Sequence, residues 1–442
     1  MRKFVLLLFL CTAAHAQQQL GTIVFPNSGK PEAQAAFLHG VLLLHNFAYP
    51  QAAEAFREAQ KIDPKFAMAY WGEAMTYNHP LWNQYDGESG RRVLQELEGL
   101  KASATPREQG YIAAIEALYG AGDKTARDDA YEAAMERLAH ANPDDVEAQV
   151  FWALSILGTR SLHHPDERKS IRAAAILEQV LPSHPNHPGV LHYMIHAYDD
   201  PIHAPLGLRA ALRYAHVASA APHALHMPSH IFVQLGRWED AAHSNEAAYA
   251  LSLKWNEPDL HSLSWLQYAY LQLHRYADAK RLIGEVKGSD HRANEVRETM
   301  QVRYAVETGD WNGLQFSEPV GRALQALAAK RFADARRSID EAAAKDPNGP
   351  EPEELRALLA AGRGDTDAAL RDAASAVKQE ETLGVPSGPP EDFKPANELY
   401  GELLLQAGKP KEALAQFQAS LLRTPNRAAS VAGLKRAQSE IH

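Results

Sequence analysis

Apolar and small residues recur along the chain at helical spacing, in paired segments that each end at a proline. The stretch "AFLHGVLLLHNFAYPQAAEAFREAQKIDPKFAMAYWGEAMTYN" places Gly40, Ala52, Phe56, Ala59 and Pro64 at successive intervals of 12, 4, 3 and 5. Near the other end, "LYGELLLQAGKPKEALAQFQASLLRTPNR" repeats those intervals with Gly401, Ala413, Phe417, Ser420 and Pro425. Each such stretch reads as a pair of helical segments. One unit cannot bury its apolar face alone, so units must stack. Further units close at Pro143, Pro185 and Pro222, and "LSWLQYAYLQLHRYADAKRLI" and "ALAAKRFADARRSIDEAAAKDPNG" continue the series. Template matching gives about eight to ten helical pairs. Two segments break the pattern. Residues 77–90 form an irregular insertion carrying Trp82 and Tyr85, and the Gly-Pro-Ser-rich 382–395 reads as a loop.

The Gly-Ala-Phe-Ala-Pro spacing resembles the tetratricopeptide repeat, and the resemblance covers nearly the whole chain beyond residue 16. It implies an all-α fold, a tetratricopeptide-type helical-repeat superhelix (an α-solenoid) with a concave inner wall. The expected organisation is a signal segment at 1–16, an array over 17–381 with His-rich central repeats at 184–261, and a loop with a C-terminal repeat over 382–442. The phrases "HPGVLHYMIHAYDD", "HALHMPSHIFVQLGRW" and "AYWGEAMTYNHPLW" are similar to a histidine-rich subset of exported bacterial tetratricopeptide proteins, a resemblance that implies a fold and no activity.

The N-terminus differs in character. Arg2 and Lys3 precede the apolar run Phe4 to Leu10, and Ala14-His15-Ala16 offers small residues for cleavage after Ala16 or Ala14. The run is too short for a stable membrane anchor. The expectation is a periplasmic or secreted protein, whose single cysteine, Cys11, leaves with the signal. Without thiolates, any metal site must use imidazole and carboxylate. The remaining composition is that of an ordinary globular protein, 45% hydrophobic and 23% charged. A net charge of −10 with no basic block argues against nucleic acid as a partner. Walker A, G-x-S-x-G, H-E-x-x-H and paired-cysteine motifs are all missing from the sequence.

Histidine supplies the candidate chemistry. Of 21 in the chain, nine fall between His184 and His230. Two H-x-x-x-H pairs, His192/His196 and His226/His230, lie 34 residues apart, position for position. In each pair the i, i+4 spacing puts both rings on one helical face, and adjacent helices pack close enough for four imidazoles to converge on one ion. By the tetratricopeptide resemblance, His192 and His226 occupy a groove-facing position of the first helix. Asp199, His203, His223 and His261 are near enough in sequence or repeat register to serve as further ligands or as acceptors fixing the imidazole tautomers. His184 and His187, flanking prolines in a turn, are expected to be solvated.

A lone buried histidine is ordinarily a hydrogen-bonded core residue, and a duplicated unit inherits its residues. Inheritance would put histidines at the same place in every unit, whereas these are confined to the central ones. The pattern therefore favours a transition-metal ion, zinc or copper foremost, bound by His192, His196, His226 and His230. Whether the site is catalytic stays open at this level. If it is, Asp199 or His203 is the candidate base and Tyr193 or Tyr198 the candidate donor. The alternative is a scaffold whose groove holds a peptide or protein partner without catalysis.

Overall fold

The computed structural model describes residues 19–160, 167–384, 386–390 and 392–441; the expected signal segment at 1–16 lies outside them, as do His163 and His164. The described chain is helical almost throughout, with one two-residue β-hairpin, Asn78–His79 against Gln84–Tyr85, in the irregular insertion. Within each unit most consecutive helices pack against one another, as stacked pairs require. Two compact units emerge, Met1–Asp199 with Pro205–Ile231 and Asp200–Ala204 with Phe232–His442. Among the described residues no helix is long and apolar enough to cross a membrane.

Side-chain size explains the repeat spacing. In the first unit Phe56 fills the gap left by two glycines: a Cβ on Gly40 would sit 2.8 Å from its ring, and one on Gly72 only 2.3 Å. In the second unit Phe417 is clasped in the same way between Gly401 and Gly433, where added Cβ atoms would lie 2.9 Å and 2.3 Å from the ring. Ala52, Phe56, Ala59, Ala413, Phe417 and Ser420 are all fully buried. At these two places the periodic residues are the contacts within a helix pair and with the helix that follows it.

Helix ends follow local chemistry. The side chains of Asp123, Asp145, Asp290 and Asp365 accept amide hydrogens of the first helical turn, and Thr105 with Glu108 forms a reciprocal cap. The tight turns inside several pairs place one residue in the left-handed region: Gly236, Gly364 and Gly408 do so as glycines, but Phe47 does so with φ 55°. A side chain in that conformation costs about 1–2 kcal/mol. The return at Phe47 is positional, because its ring lies among the histidines described below.

Replacing Gly72 by Ala forces a methyl into the Phe56 ring and should lower stability by about 1–3 kcal/mol. Phe56→Ala, which empties the clasp, should lower it by about 3–5 kcal/mol. Urea denaturation curves read both; wild-type stability in either variant would contradict this account of the repeat contact.

Candidate metal centre

The first unit gathers five imidazoles. His192 and His196 sit on the helix Pro188–Ala197 and share a face, as their spacing requires. His226 and His230 do not share one helix. Pro228 has no amide hydrogen to continue the backbone ladder, so the segment breaks into Pro222–His226 and Pro228–Gln234 with Met227 between. The two rings still meet, Nε2 to Nε2, at 3.1 Å.

His223 joins them, and more centrally than its sequence position suggests. Its Nε2 lies 3.1 Å from His192 Nε2, and candidate ligand atoms of His192, His196 and His223 all fall within 4.8 Å of one another. The threefold imidazole set within this unit is therefore 192/196/223. The His226/His230 pair adjoins it, with ring centroids 6.0 Å apart for His223 and His226 and 5.7 Å for His196 and His230.

Tautomers follow from partners that can only accept. His192 Nδ1 donates to the backbone carbonyl of His45 at 2.7 Å, which leaves the Nε2 lone pair aimed at His223. His230 Nδ1 donates to Asp199 Oδ2 at 2.6 Å, which leaves its Nε2 lone pair aimed at His226. Oriented imidazoles of this kind, backed by a carbonyl or carboxylate, are the usual form of a metal-ligating histidine. His196 Nε2 is buried without a hydrogen-bond partner. Two imidazole nitrogens on one tetrahedral ion at about 2.1 Å would stand about 3.4 Å apart. The 3.1 Å between His192 and His223 needs only a small opening to admit one.

Burial keeps His192 and His196 neutral. Burial chiefly, helped by the charges of His230 and His45 and opposed by the carbonyl bond, pushes His192 down to about 3. His196 is likewise held well below the ordinary imidazole value, by burial first and then by His192, His230 and His223. Neutral imidazole is the form that coordinates metal.

An aromatic wall surrounds the cluster. Phe47 meets His192 edge-on at 4.3 Å and stacks on His223 at 5.4 Å; Tyr214 stacks on His192 at 5.2 Å. Trp82, carried in by the irregular insertion, meets His223 edge-on at 5.5 Å and remains 40% exposed. The site thus has a partly solvated edge at His223 and Trp82.

Beneath lies a second group that the sequence did not suggest. Glu147 accepts from His45 Nε2 at 2.8 Å and from His187 Nε2 at 3.1 Å. Tyr193 donates its hydroxyl to His45 Nδ1 at 2.9 Å, and His187 Nδ1 accepts the Val190 amide as the helix cap. Every ring nitrogen here has a protein partner. Burial alone would raise Glu147, but His187 and His45 hold it at about 2, so the carboxylate is ionised. His187 is 1% exposed, not solvated as its proline-flanked position suggested, because capping and the bond to Glu147 draw it inward.

His203 belongs to the second unit, where its Nδ1 donates to Asp200 Oδ2 at 2.7 Å. His261, also in the second unit, is exposed near the start of Leu260–Gln272 beside Trp265. Neither expected donor is aimed at the five clustered imidazoles: the Tyr193 hydroxyl serves His45, outside that cluster, and that of Tyr198 lies 3.3 Å from Glu178. Asp199, as the acceptor for His230, fits a tautomer-fixing role better than that of a base.

The sequence matches no protein-family profile and no curated protein. Among solved structures it is similar to the TPR domain of P58(IPK), at 14% identity over 93% of this chain and 98% of that one, with TM-score 0.26. It is similar to the Cut9–Hcn1 hetero-tetramer of the APC/C at 14% identity, 98% and 81% coverage and TM-score 0.40. For yeast Tom70 the values are 12%, 93%, 96% and 0.30. At such identities and scores these likenesses carry no argument about what this chain binds. The repeated glycine–phenylalanine clasp, seen in both units, is what decides the architecture. The fold is of the tetratricopeptide-repeat type.

Within this tetratricopeptide-type array the imidazoles leave a pH signature. The unfolded chain protonates histidine below about pH 6.5, whereas folded His192 stays neutral down to about pH 3. Its contribution is therefore complete above about pH 6.5 and is lost as pH falls toward the folded value. In metal-free protein under chelator, His192→Gln should flatten the decline of the denaturation midpoint between about pH 7 and pH 4. An unchanged slope would contradict the assignment.

Proposed function

We propose that this is an exported helical-repeat protein that binds a transition-metal ion, zinc or copper foremost, through His192, His196 and His223. The observation that carries the reading is the pairing at His192: its Nδ1 proton is committed to a carbonyl, and its Nε2 lone pair faces His223 Nε2 at 3.1 Å. The partnerless, buried Nε2 of His196 supports it, since a neutral polar atom left without a bond in the interior is unfavourable unless something else occupies it. Three imidazoles leave one position of a four-coordinate ion for water or a small ligand, and the exposed edge at Trp82 offers an approach. Such an ion would lower the pKa of a bound water or polarise an oxygen ligand. The protein's own part is to hold His192 and His196 neutral and to keep the three rings oriented and largely walled from solvent.

Export is proposed from the basic, apolar and small-residue succession of residues 2–16. N-terminal sequencing of the secreted or periplasmic protein should then begin at Gln17, or at His15 if cleavage follows Ala14.

Protein loaded with zinc and freed of excess ion should retain it by elemental analysis, and His192→Ala with His223→Ala should abolish retention. His184→Ala, a histidine on the exposed turn, should leave retention intact. Bound ion at 100 times its Kd should stabilise wild type by about 2.7 kcal/mol and the double variant hardly at all. Retention of zinc by the double variant at the wild-type level would defeat the proposal.

A further inference from the structure

Five imidazoles are one more than a four-coordinate ion accepts. The surplus is not scattered. His226 and His230, 0% and 8% exposed, form a facing pair of their own beside the 192/196/223 set. The proton on His230 Nδ1 belongs to its bond with Asp199, so the ring presents a lone pair at Nε2. Ser229 Oγ lies 3.4 Å from His226 Nδ1 and can take that ring's proton, which turns a second lone pair to the same point. Two lone pairs facing each other at 3.1 Å repel unless a cation or a proton lies between them.

We infer that the cluster provides a second metal position, held by His226 and His230 and braced by Asp199, next to the one held by His192, His196 and His223. The inference rests on the metal-binding reading of that first position. The two positions differ in strength for a stated reason. Three imidazoles hold one ion and two hold the other, so the first fills at lower metal concentration and the second exchanges more readily. The second ion has at least two coordination positions that these rings do not supply. Asp199 is already committed to His230, and water or an oxygen-donor anion, such as a carboxylate or a phosphate, can take such a position. An anionic oxygen ligand reaching both ions is the substrate class that this arrangement favours, in the manner of two-metal clamps.

Zinc titration followed by calorimetry and elemental analysis separates the outcomes. Wild type should bind two ions per chain, one tightly and one weakly. His226→Ala with His230→Ala should keep the tight ion and lose the weak one; His192→Ala with His223→Ala should lose the tight one. Asp199→Asn, a milder change that leaves both rings in place, should weaken only the weak ion, by roughly 10- to 100-fold. Far-UV circular dichroism checks that each variant stays helical. One ion per chain in wild type, lost equally from both double variants, would overturn the second position while sparing the first reading. One ion unaffected by His226→Ala with His230→Ala would do the same. No ion in wild type would overturn both.

Discussion

A hydrogen bond of 2.7 Å, from His192 Nδ1 to the backbone carbonyl of His45, ties the end of the first long helix to the helix Pro188–Ala197. Its partners are 147 residues apart in sequence, and both are fully buried. Everything chemical about the cluster depends on it. A carbonyl can only accept, so the bond fixes the proton on Nδ1 and turns the lone pair on Nε2 toward His223. Rotating the ring would break a buried bond and leave a carbonyl unsatisfied, at a cost of about 1–3 kcal/mol.

The residues around that bond hold it from two sides. From below, Glu147 anchors His45 and His187 at once, and Tyr193 closes the remaining nitrogen of His45. A buried carboxylate is tolerable here because two N–H groups are aimed at it, which keeps it ionised despite its burial. From above, Phe47 accepts a left-handed backbone so that its ring can lie against His192 and His223. The tetratricopeptide-type stacking makes both arrangements possible, since it brings residues from distant repeats into contact without long loops. The same close packing that seats Phe56 between two glycines leaves the imidazoles little freedom to move.

Much of the architecture was legible in the chain because repeat contacts are local. Gly40, Phe56, Gly401 and Phe417 announce a helix pair by spacing alone. The histidines were legible as a group, and the 192/196 face followed from helical geometry. The break between His226 and His230 was written in Pro228, and reading an H-x-x-x-H as one helix passed over it. The placing of His223 against His192 was harder, since the two stand 31 residues apart, not one full repeat. Glu147, His45 and Phe47 carried no motif at all. Their roles come from contacts made more than 100 residues away in sequence, which no local pattern encodes. His187 escapes local reading for a related reason: a histidine beside prolines has the pattern of a surface turn, whereas its ring caps a helix and bonds to Glu147.

The most direct test of the central claim is an anomalous-difference map from crystals of the zinc-loaded protein, with data collected on both sides of the zinc absorption edge. The account predicts a peak that vanishes below the edge and lies about 2.0–2.1 Å from a ring nitrogen of each of His192, His196 and His223. Loaded crystals with no anomalous density at these three imidazoles, or with density only at surface carboxylates, would contradict it.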